Sequence, residues 1–237
     1  KEILADSVKF PFTLSKHYMI LVFEFASSID IDLDKQIVYL ISTTQKVTII
    51  FHTIDQNNLI LLLDASKNQS KELISFFIRS FTADMKERFK VAISSEGCGN
   101  VYSDYIDTSK SYSEALEVIS LKKRYTDELT NVYWYDELGL YQYLHIISEK
   151  RSGQNKQLPA GLNILKKYDE EHQTQLYKTL EIYLTCNSNP AVTANALHIH
   201  PNTLSYRLKR ITEISQYDLK DHKITSHLLI EMKLAKY

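Results

Sequence analysis

The chain has 237 residues, of which 44% are hydrophobic and 24% are charged, so it is long enough for two modest folded domains. No apolar run reaches the length of a membrane span, no signal-peptide pattern opens the chain, and the two cysteines match no metal or redox spacing. We therefore expect a cytoplasmic protein with reduced thiols and without a membrane segment, a metal or a cofactor. Because the first residue is Lys1 and not Met, we also expect it to be part of a longer protein.

The formal net charge of −1 is divided unevenly along the chain. Residues 173–237 carry 8 Lys and Arg against 5 Asp and Glu, a net charge of +3, whereas residues 1–172 carry 20 against 24, a net charge of −4. Lys and Arg are the residues that neutralise the phosphates of nucleic acids. A nucleic-acid partner is therefore expected at the C-terminal part of the chain, and the small excess predicts weak binding by a single copy.

The first part of the chain shows the pattern of a sheet domain behind an amphipathic lead-in at residues 1–16. Apolar, β-branched and aromatic segments predict five strands, at residues 17–25, 47–54, 59–63, 90–94 and 131–135. Apolar residues at helical spacing predict three helices, at residues 32–45, 70–89 and 108–124. Turn-forming residues 55–58 predict a hairpin, and residues 95–100, with Gly97 and Gly99, predict a loop. The order βαββαβαβ predicts an α+β fold with a mixed sheet and helices on its faces.

A polar segment at residues 148–161, which holds two of the five glycines and one of the four prolines, predicts a linker. It follows a helix predicted at residues 137–147. The linker separates a sheet domain at residues 17–147 from an all-α domain at residues 162–237.

The all-α domain contains the layout of a helix-turn-helix. A helix is predicted at residues 175–186, a polar break follows, and a short helix of small residues covers 191–197. The next helix opens with Pro201, and its residues Leu204, Leu208 and Ile211 form one apolar seam. Its other side carries amide, hydroxyl, phenol and cationic groups, which can contact base edges and phosphates. An amphipathic hairpin with a solvated polar face has the same periodicity, so the pattern alone leaves both interpretations open.

A sequence resemblance distinguishes between these interpretations. The segment HIHPNTLSYRLKRI at residues 198–211, with TLEIYL and TANAL before it, closely resembles the C-terminal helix-turn-helix of PucR-type bacterial transcription regulators, which include sugar-diacid and purine-catabolism regulators. The similarity covers residues 158–237 and includes LKKYD at 165–169. One departure is Gln216, where the family usually has a small residue or Gly after the recognition helix. The resemblance implies a sequence-specific DNA-binding regulator of a metabolic operon.

Two segments of the sheet domain, SYSEALEVI at 111–119 and YDELGL at 135–140, resemble the GGDEF-like domain of the same regulators. The predicted hairpin tip, DQNN, has no glycine pair for phosphates, and Asp55 is its one acid, whereas a metal pair needs more carboxylates. Glu24 is the sole nearby candidate for a second ligand. We therefore predict that the chain is not an enzyme and that this degenerate GGDEF-like domain serves dimerisation or regulation.

The recognition helix supplies the candidate site residues. Asn202, Thr203 and Tyr206 are our candidates for base-edge contacts, and Lys209 and Arg210 are our candidates for phosphate contacts. The whole set predicted to bind DNA is Thr193, His200, Asn202, Thr203, Ser205, Tyr206, Arg207, Lys209 and Arg210.

Three of these assignments have structural alternatives. Arg207 lies between the two faces, so it either contacts DNA or forms a structural ion pair. Thr193 either binds a phosphate or caps the short helix. His198 and His200 have no further ligand at zinc spacing, so we interpret them as turn residues near the DNA backbone.

The expected partners are double-stranded DNA and a second copy of the chain, in a homodimer or higher homo-oligomer. A small-molecule effector of unknown identity is expected to act through a part of the protein outside this chain. Two other functions remain open from the residues: a nucleotide-binding sensor or enzyme acting through the sheet domain, and a helical protein-interaction module.

Overall fold

A computed structural model describes residues 17–29, 31–43, 47–66, 70–151 and 158–236. The lead-in predicted at residues 1–16 lies outside the described residues, and so does the middle of the predicted linker, residues 152–157. The chain divides into two compact units, Lys1–Gln142 and Tyr143–Tyr237. The α+β fold class predicted from the sequence is confirmed: a sheet unit with helices is followed by a unit whose described residues are helical. The sheet differs from the mixed sheet that we predicted, because all of its described strand pairs are antiparallel.

The sheet unit is built on a four-stranded sheet in which the described strands lie in the order β2-β3-β1-β4 and all pair antiparallel. Its strands are β1 Tyr18–Phe25, β2 Ile49–Asp55, β3 Asn58–Asp64 and β4 Ile93–Cys98. Its helices are α1 Ile31–Thr43, α2 Lys71–Arg88, α3 Thr108–Arg124 and α4 Thr126–Leu129. Short 3-10 helices lie before α3, at Tyr105–Asp107, and after α4, at Tyr135–Glu137 and Gly139–Tyr143. The predicted hairpin is confirmed, since Asp55 pairs with Asn58 across a two-residue turn whose Gln56 takes a φ of 54°.

The prediction of a fifth strand at residues 131–135 was wrong. Trp134 forms an isolated parallel bridge with Cys98, and the chain then enters a 3-10 helix at Tyr135. Trp134 is 4% exposed, and its indole N–H donates to Ser75 Oγ at 3.3 Å. The aromatic residues of this segment are enriched because they are buried against the sheet. β propensity cannot distinguish such burial from the pairing of a strand.

The strand predicted at residues 90–94 begins at Ile93 and runs on to Cys98, through part of the predicted loop. A Cβ atom added at Gly97 would clash with the carbonyl oxygen of Ala115, and one added at Gly99 would clash with that of Ser111. Both clashing atoms belong to α3. These glycines therefore allow a helix to lie close against the sheet, which is a different role from that of the loop that we predicted.

Helices cover both faces of the sheet. One face packs on α1 and α2 around Phe23, Leu61 and Phe77, and the other packs on α3 through Ile20, Val22 and Ala115. The alternation of inward residues along β1 follows from the two-residue period of a strand. Burial of apolar residues on both faces explains why β1 is an almost continuous apolar run.

Polar contacts from the SYSEALEVI segment fix α3 to the sheet. The hydroxyl of Ser111 accepts the backbone N–H of Ile20 at 2.9 Å and donates to the carbonyl of Asn100 at 2.8 Å. The carboxylate of Glu114 accepts from the backbone N–H of Asn100 at 2.7 Å and from the hydroxyl of Tyr102 at 2.7 Å. The hydrogen bond from Ile20 is buried, so losing the Ser111 side chain would leave this backbone donor without a partner.

The described helices of the second unit are α5 Leu144–Arg151, α6 Ala160–His172, α7 Leu176–Thr185, α8 Pro190–Ala196, α9 Pro201–Ser215 and α10 His222–Leu234. The second unit has one apolar core, to which the helices α6, α7, α9 and α10 contribute. The start of the predicted linker is helical, because α5 continues to Arg151. The guanidinium of Arg151 donates to both carboxylate oxygens of Glu231 in α10, at 3.0 and 2.5 Å. Among the described residues, no helix combines the length and the apolar character that crossing a bilayer requires.

Candidate nucleic-acid interface

The turn between α7 and α8 has the residues that such a turn requires. Asn189 caps α8, because its side-chain oxygen accepts the backbone N–H groups of Ala191 and Val192 at 3.0 and 3.2 Å. Pro190 occupies the first position of α8, where a missing N–H costs no helical hydrogen bond. The helix-turn-helix layout predicted from the sequence is therefore present in α7, α8 and α9.

The start of α9 is fixed by His200. Its Nδ1 accepts the backbone N–H of Asn202 at 3.2 Å, and Pro201 follows at the first helical position. His198 takes a φ of 53° in the turn before it. Within the described residues no three His, Cys, Asp or Glu side chains come together to hold a metal. His198 and His200 lie between α8 and α9.

The buried side of α9 is narrower than the predicted seam. Leu204 and Ile211 are 1% and 0% exposed, and Ser215 is buried one turn further on. Leu208, which we placed on the seam, is half-buried at its edge and packs only partly against the core. A 100° rotation per residue identifies the apolar side but cannot show where the neighbouring helices end.

The end of α9 is formed without glycine. Gln216 takes the left-handed conformation, with φ 61° and ψ 21°, and its backbone N–H donates to the carbonyl of Thr212 at 2.9 Å. The departure from the family therefore keeps the capping hydrogen bond, but it places a side chain in a backbone region that favours Gly.

The opposite side of α9 faces solvent. Tyr206 is 69% exposed, and the other exposed members of the predicted set are His200, Asn202, Thr203, Ser205 and Lys209. Lys209 makes no ion pair with the part of the chain that the structure describes. The side chains on this face supply an amide, two hydroxyls, a phenol and an ammonium group, which is a chemically suitable set for base edges and phosphates.

Arg207 connects α9 to α7. Its guanidinium donates to the hydroxyl of Thr179 at 3.1 Å, and Thr179 is wholly buried and donates in turn to the carbonyl of Gln175 at 2.7 Å. The structural role that we considered for Arg207 was an ion pair. The contact that the structure shows is a hydrogen bond to a buried hydroxyl.

Arg210 is held by two side chains. Its guanidinium donates to the carboxylate of Glu213 at 3.0 Å and to the hydroxyl of Tyr168 at 3.2 Å, and its central carbon lies 5.3 Å from the centre of the Tyr168 ring. The hydrogen bonds with Tyr168 and Glu213 raise the pKa of Arg210 further above its ordinary range. The side chain of Arg210 is 39% exposed, so it remains accessible from solvent.

Thr193 lies inside the domain and not on its surface. It is 0% exposed, and both its hydroxyl and its backbone N–H donate to the carbonyl of Asn189, at 2.7 and 3.0 Å. The structure thus contradicts its placement on a DNA-facing surface. The side-chain cap that we offered as the alternative belongs to Asn189, because Thr193 is one turn into the helix.

Sequence reasoning missed the role of Asp169. Its two carboxylate oxygens accept the backbone N–H groups of Leu176 and Tyr177, each at 2.8 Å, and so they cap α7 from the end of α6. A signal was present, because three acids end α6 (Asp169, Glu170 and Glu171), where a helix dipole favours cations. A carboxylate at the C-terminal end of a helix, where the dipole disfavours it, indicates that hydrogen-bond donors from another element bind it.

A second charged contact joins α7 to the end of the chain. Glu181 is 8% exposed and forms ion pairs with Lys178 and Lys236. Burial raises the pKa of Glu181, but the two lysines outweigh burial and hold this pKa below its ordinary value. Glu181 is therefore charged and compensated within the helical unit.

The hairpin tip of the sheet unit places Glu24, Asn58 and Asp55 side by side on three adjacent strands. The carboxylate of Glu24 is bound by the ammonium group of Lys123, with nitrogen–oxygen distances of 2.6 and 2.5 Å, and by the hydroxyl of Ser94 at 2.8 Å. The carboxylate of Glu24 is therefore neutralised by Lys123 and hydrogen-bonded by Ser94.

The structure thus combines a GGDEF-like sheet unit with a helix-turn-helix of the kind that binds nucleic acids. Family comparison agrees with both halves: the GGDEF-like domain matches residues 2–121, about half of the chain, and the PucR C-terminal helix-turn-helix domain matches residues 176–234. The chain belongs to the PucR-type family of regulators that carry a GGDEF-like domain.

Several characterised relatives are similar to this chain. The DNA-binding transcriptional activator AdeR of Bacillus subtilis is 36% identical over 203 residues, which are 85% of this chain and 48% of AdeR. The proline-responsive transcriptional activator PutR of Bacillus subtilis is 41% identical over 59% of this chain and 34% of PutR. The carbohydrate diacid regulator of Escherichia coli is 33% identical over 56% of this chain and 32% of its own length. The matched region spans about half of these relatives or less.

Proposed function

We propose that this chain is the DNA-binding part of a transcription regulator that controls a metabolic operon. The observation that carries the proposal is the exposed polar face of α9, opposite the buried residues Leu204 and Ile211. The helix is capped at its start by His200 and tied to α7 by Arg207, so its exposed side chains are held on a rigid scaffold. The regulatory activities in the names of AdeR and PutR support the same function.

In the proposed complex, α9 enters the major groove. Asn202, Thr203 and Tyr206 contact base edges there, while Ser205 and His200 approach from the flanks of the same face. Lys209 and Arg210 bind backbone phosphates, which fix the position of the helix without reading sequence. Arg207 supports the helix through Thr179, and Thr193 supports the turn from inside the domain.

The chain acts as a homodimer or higher homo-oligomer in this proposal. One recognition helix and a local charge of +3 provide few contacts for a specific monomer. Two copies would double the number of recognition helices and the local positive charge, and they would recognise two related half-sites. The GGDEF-like unit serves dimerisation or regulation in this scheme, and the protein acts in the cytoplasm, where bacterial DNA lies.

We further propose that the sheet unit does not make cyclic dinucleotides, because Glu24 is neutralised by Lys123 and the hairpin tip adds one acid, Asp55. Incubation with GTP and Mg²⁺ or Mn²⁺ tests this directly. Product above a control without protein would overturn this part of the proposal.

Selection of duplexes from a random pool tests the main function. We expect the chain to enrich one sequence family, and footprinting of a recovered duplex should show two related half-sites about one or more helical turns apart. Sedimentation of the complex gives the number of copies bound. Equal retention of every duplex in the pool, or a single unrepeated site bound by one copy, would contradict the proposal.

A further inference from the structure

Tyr168 lies on α6, outside the residues 176–234 that match the helix-turn-helix family. It is half-buried and packs against the same core as α9. Its ring stacks on the ring of His172, with centres 4.0 Å apart and planes within 13°, and the Nδ1 of His172 lies 3.0 Å from the Tyr168 carbonyl oxygen. A ring with such neighbours has little freedom to change its orientation.

This fixed ring contacts the guanidinium of Arg210 in two ways. The hydroxyl accepts a hydrogen bond at 3.2 Å, and the ring lies 5.3 Å from the guanidinium carbon. A guanidinium has further N–H groups beyond those used by Tyr168 and Glu213, and these can bind a phosphate. The long side chain of Arg210 would otherwise sample many rotamers, so a fixed platform reduces what is lost when it binds.

We propose that Tyr168 is a positioning residue, which through its ring and hydroxyl holds Arg210 ready for a phosphate of the DNA backbone. The proposal rests on the DNA-binding function proposed above. It extends the nucleic-acid interface to α6, a helix that the family comparison of the helix-turn-helix does not include. It also assigns a function to a contact between residues 42 positions apart in sequence.

A purely structural role for Tyr168 makes a different prediction. If Tyr168 only filled space in the core, replacing it would lower the melting temperature but would leave the salt dependence of DNA binding unchanged. Each phosphate contact contributes about 0.9 to the slope of log affinity against log salt. The salt slope therefore separates positioning of Arg210 from support of the fold.

The chain contains a matched control in Tyr177. Like Tyr168, it is a half-buried tyrosine packed against the same core, and the ammonium group of Lys166 lies 4.7 Å from its ring centre. Its cation, however, belongs to α6 and not to the recognition helix. Tyr168→Leu and Tyr177→Leu thus remove comparable rings, one of which contacts Arg210.

The experiment is a salt titration of binding to a mixed-sequence duplex by the full chain, with a melting curve for each variant. We expect Tyr168→Leu to lower the slope by up to about 0.9, Tyr177→Leu to leave it unchanged, and Tyr168→Phe to give an intermediate decrease. In an Arg210→Ala background, Tyr168→Leu should cause no further decrease. If Tyr168→Leu does not fold, Tyr168→Phe carries the test in the same two backgrounds.

An unchanged slope in the folded Tyr168 variants would overturn the proposal, and so would an equal decrease with and without Arg210. An Arg210→Ala variant that keeps the parental slope would also overturn it, while leaving the DNA-binding function intact. Failure of the unaltered chain to bind any duplex is a separate result, which contradicts the proposed function itself.

Discussion

The carboxylate of Asp169 accepts the backbone N–H of Leu176 at 2.8 Å, so the last turn of α6 caps the first turn of α7. The residue before α7, Gln175, makes no side-chain cap of its own. The position of the first helix of the helix-turn-helix therefore depends on a residue outside it.

Replacement of Asp169 should destabilise the helical unit. Asp169→Ala leaves the N–H groups of Leu176 and Tyr177 without their acceptor, and we expect a loss of about 1–2 kcal/mol, as for other helix caps. Asp169→Asn keeps one acceptor oxygen and should lose less. Urea unfolding curves of the three proteins give the comparison, and an alanine variant as stable as the parent would show that solvent replaces the cap.

Gln216 offers a stabilising substitution. Its φ of 61° is costly for a residue with a Cβ atom, so Gln216→Gly should raise the stability of the helical unit by about 1 kcal/mol. Gln173 is a matched position, because it ends α6 with a φ of 54°, and Gln173→Gly should act in the same direction. Thermal melting measures both, and a lower melting temperature for either variant would contradict the reasoning.

The buried side of α9 can be tested by truncation. Ile211→Ala removes a side chain that is 0% exposed and should cost roughly 2–5 kcal/mol. Leu208→Ala removes a half-buried side chain and should cost about 1 kcal/mol, since fewer contacts are lost. Denaturation curves decide the order, and an equal loss at both positions would place Leu208 deeper than the structure does.

The exposed side of α9 should separate base reading from phosphate binding. Asn202→Ala should cost about 1–3 kcal/mol on a duplex that the chain selects and little on random duplexes. Lys209→Ala should weaken both and lower the salt slope by about one unit. Binding titrations of both duplexes across salt give these numbers. Equal weakening of both duplexes by Asn202→Ala would assign Asn202 to the DNA backbone.

Acid should weaken the contact around Glu181. Its folded-state pKa is held below the ordinary value by Lys236 and Lys178, so this ion-pair contribution is present above the unfolded pKa of about 4.3 and is lost as pH falls through the lower folded pKa. Lys236→Met leaves burial less opposed and raises the pKa of Glu181. We expect the variant to be less stable than the parent at neutral pH, with a difference that shrinks below about pH 4. A difference independent of pH would contradict this assignment.

The elements that could be predicted from sequence are those with local causes. The hairpin at Gln56 and the start of α9 at Pro201 follow from turn and capping residues within a few positions. The prediction of a strand around Trp134 was wrong because aromatic composition indicates that a segment is buried but does not show that it pairs with a strand. The prediction of a loop at Gly97 was wrong because glycine is needed there for close packing against α3, which lies further along the chain.

The same distinction applies to the candidate site. The exposed face of α9 could be derived from periodicity, since helical rotation alone places Asn202 and Tyr206 opposite Ile211. The partners of Arg207 and Arg210 could not, because Thr179 and Tyr168 are brought near them only by the packing of α6, α7 and α9. Tertiary contacts thus decide which of the cations on this helix are anchored.

The cap at the start of α9 also decides whether the free ring nitrogen of His200 donates or accepts hydrogen bonds. While the Nδ1 of His200 accepts the N–H of Asn202, the neutral ring must carry its proton on Nε2. The outward nitrogen of His200 then acts as a hydrogen-bond donor. At the start of the recognition helix, His200 can therefore bind a phosphate oxygen or a purine N7, but it cannot recognise the amino groups of adenine or cytosine.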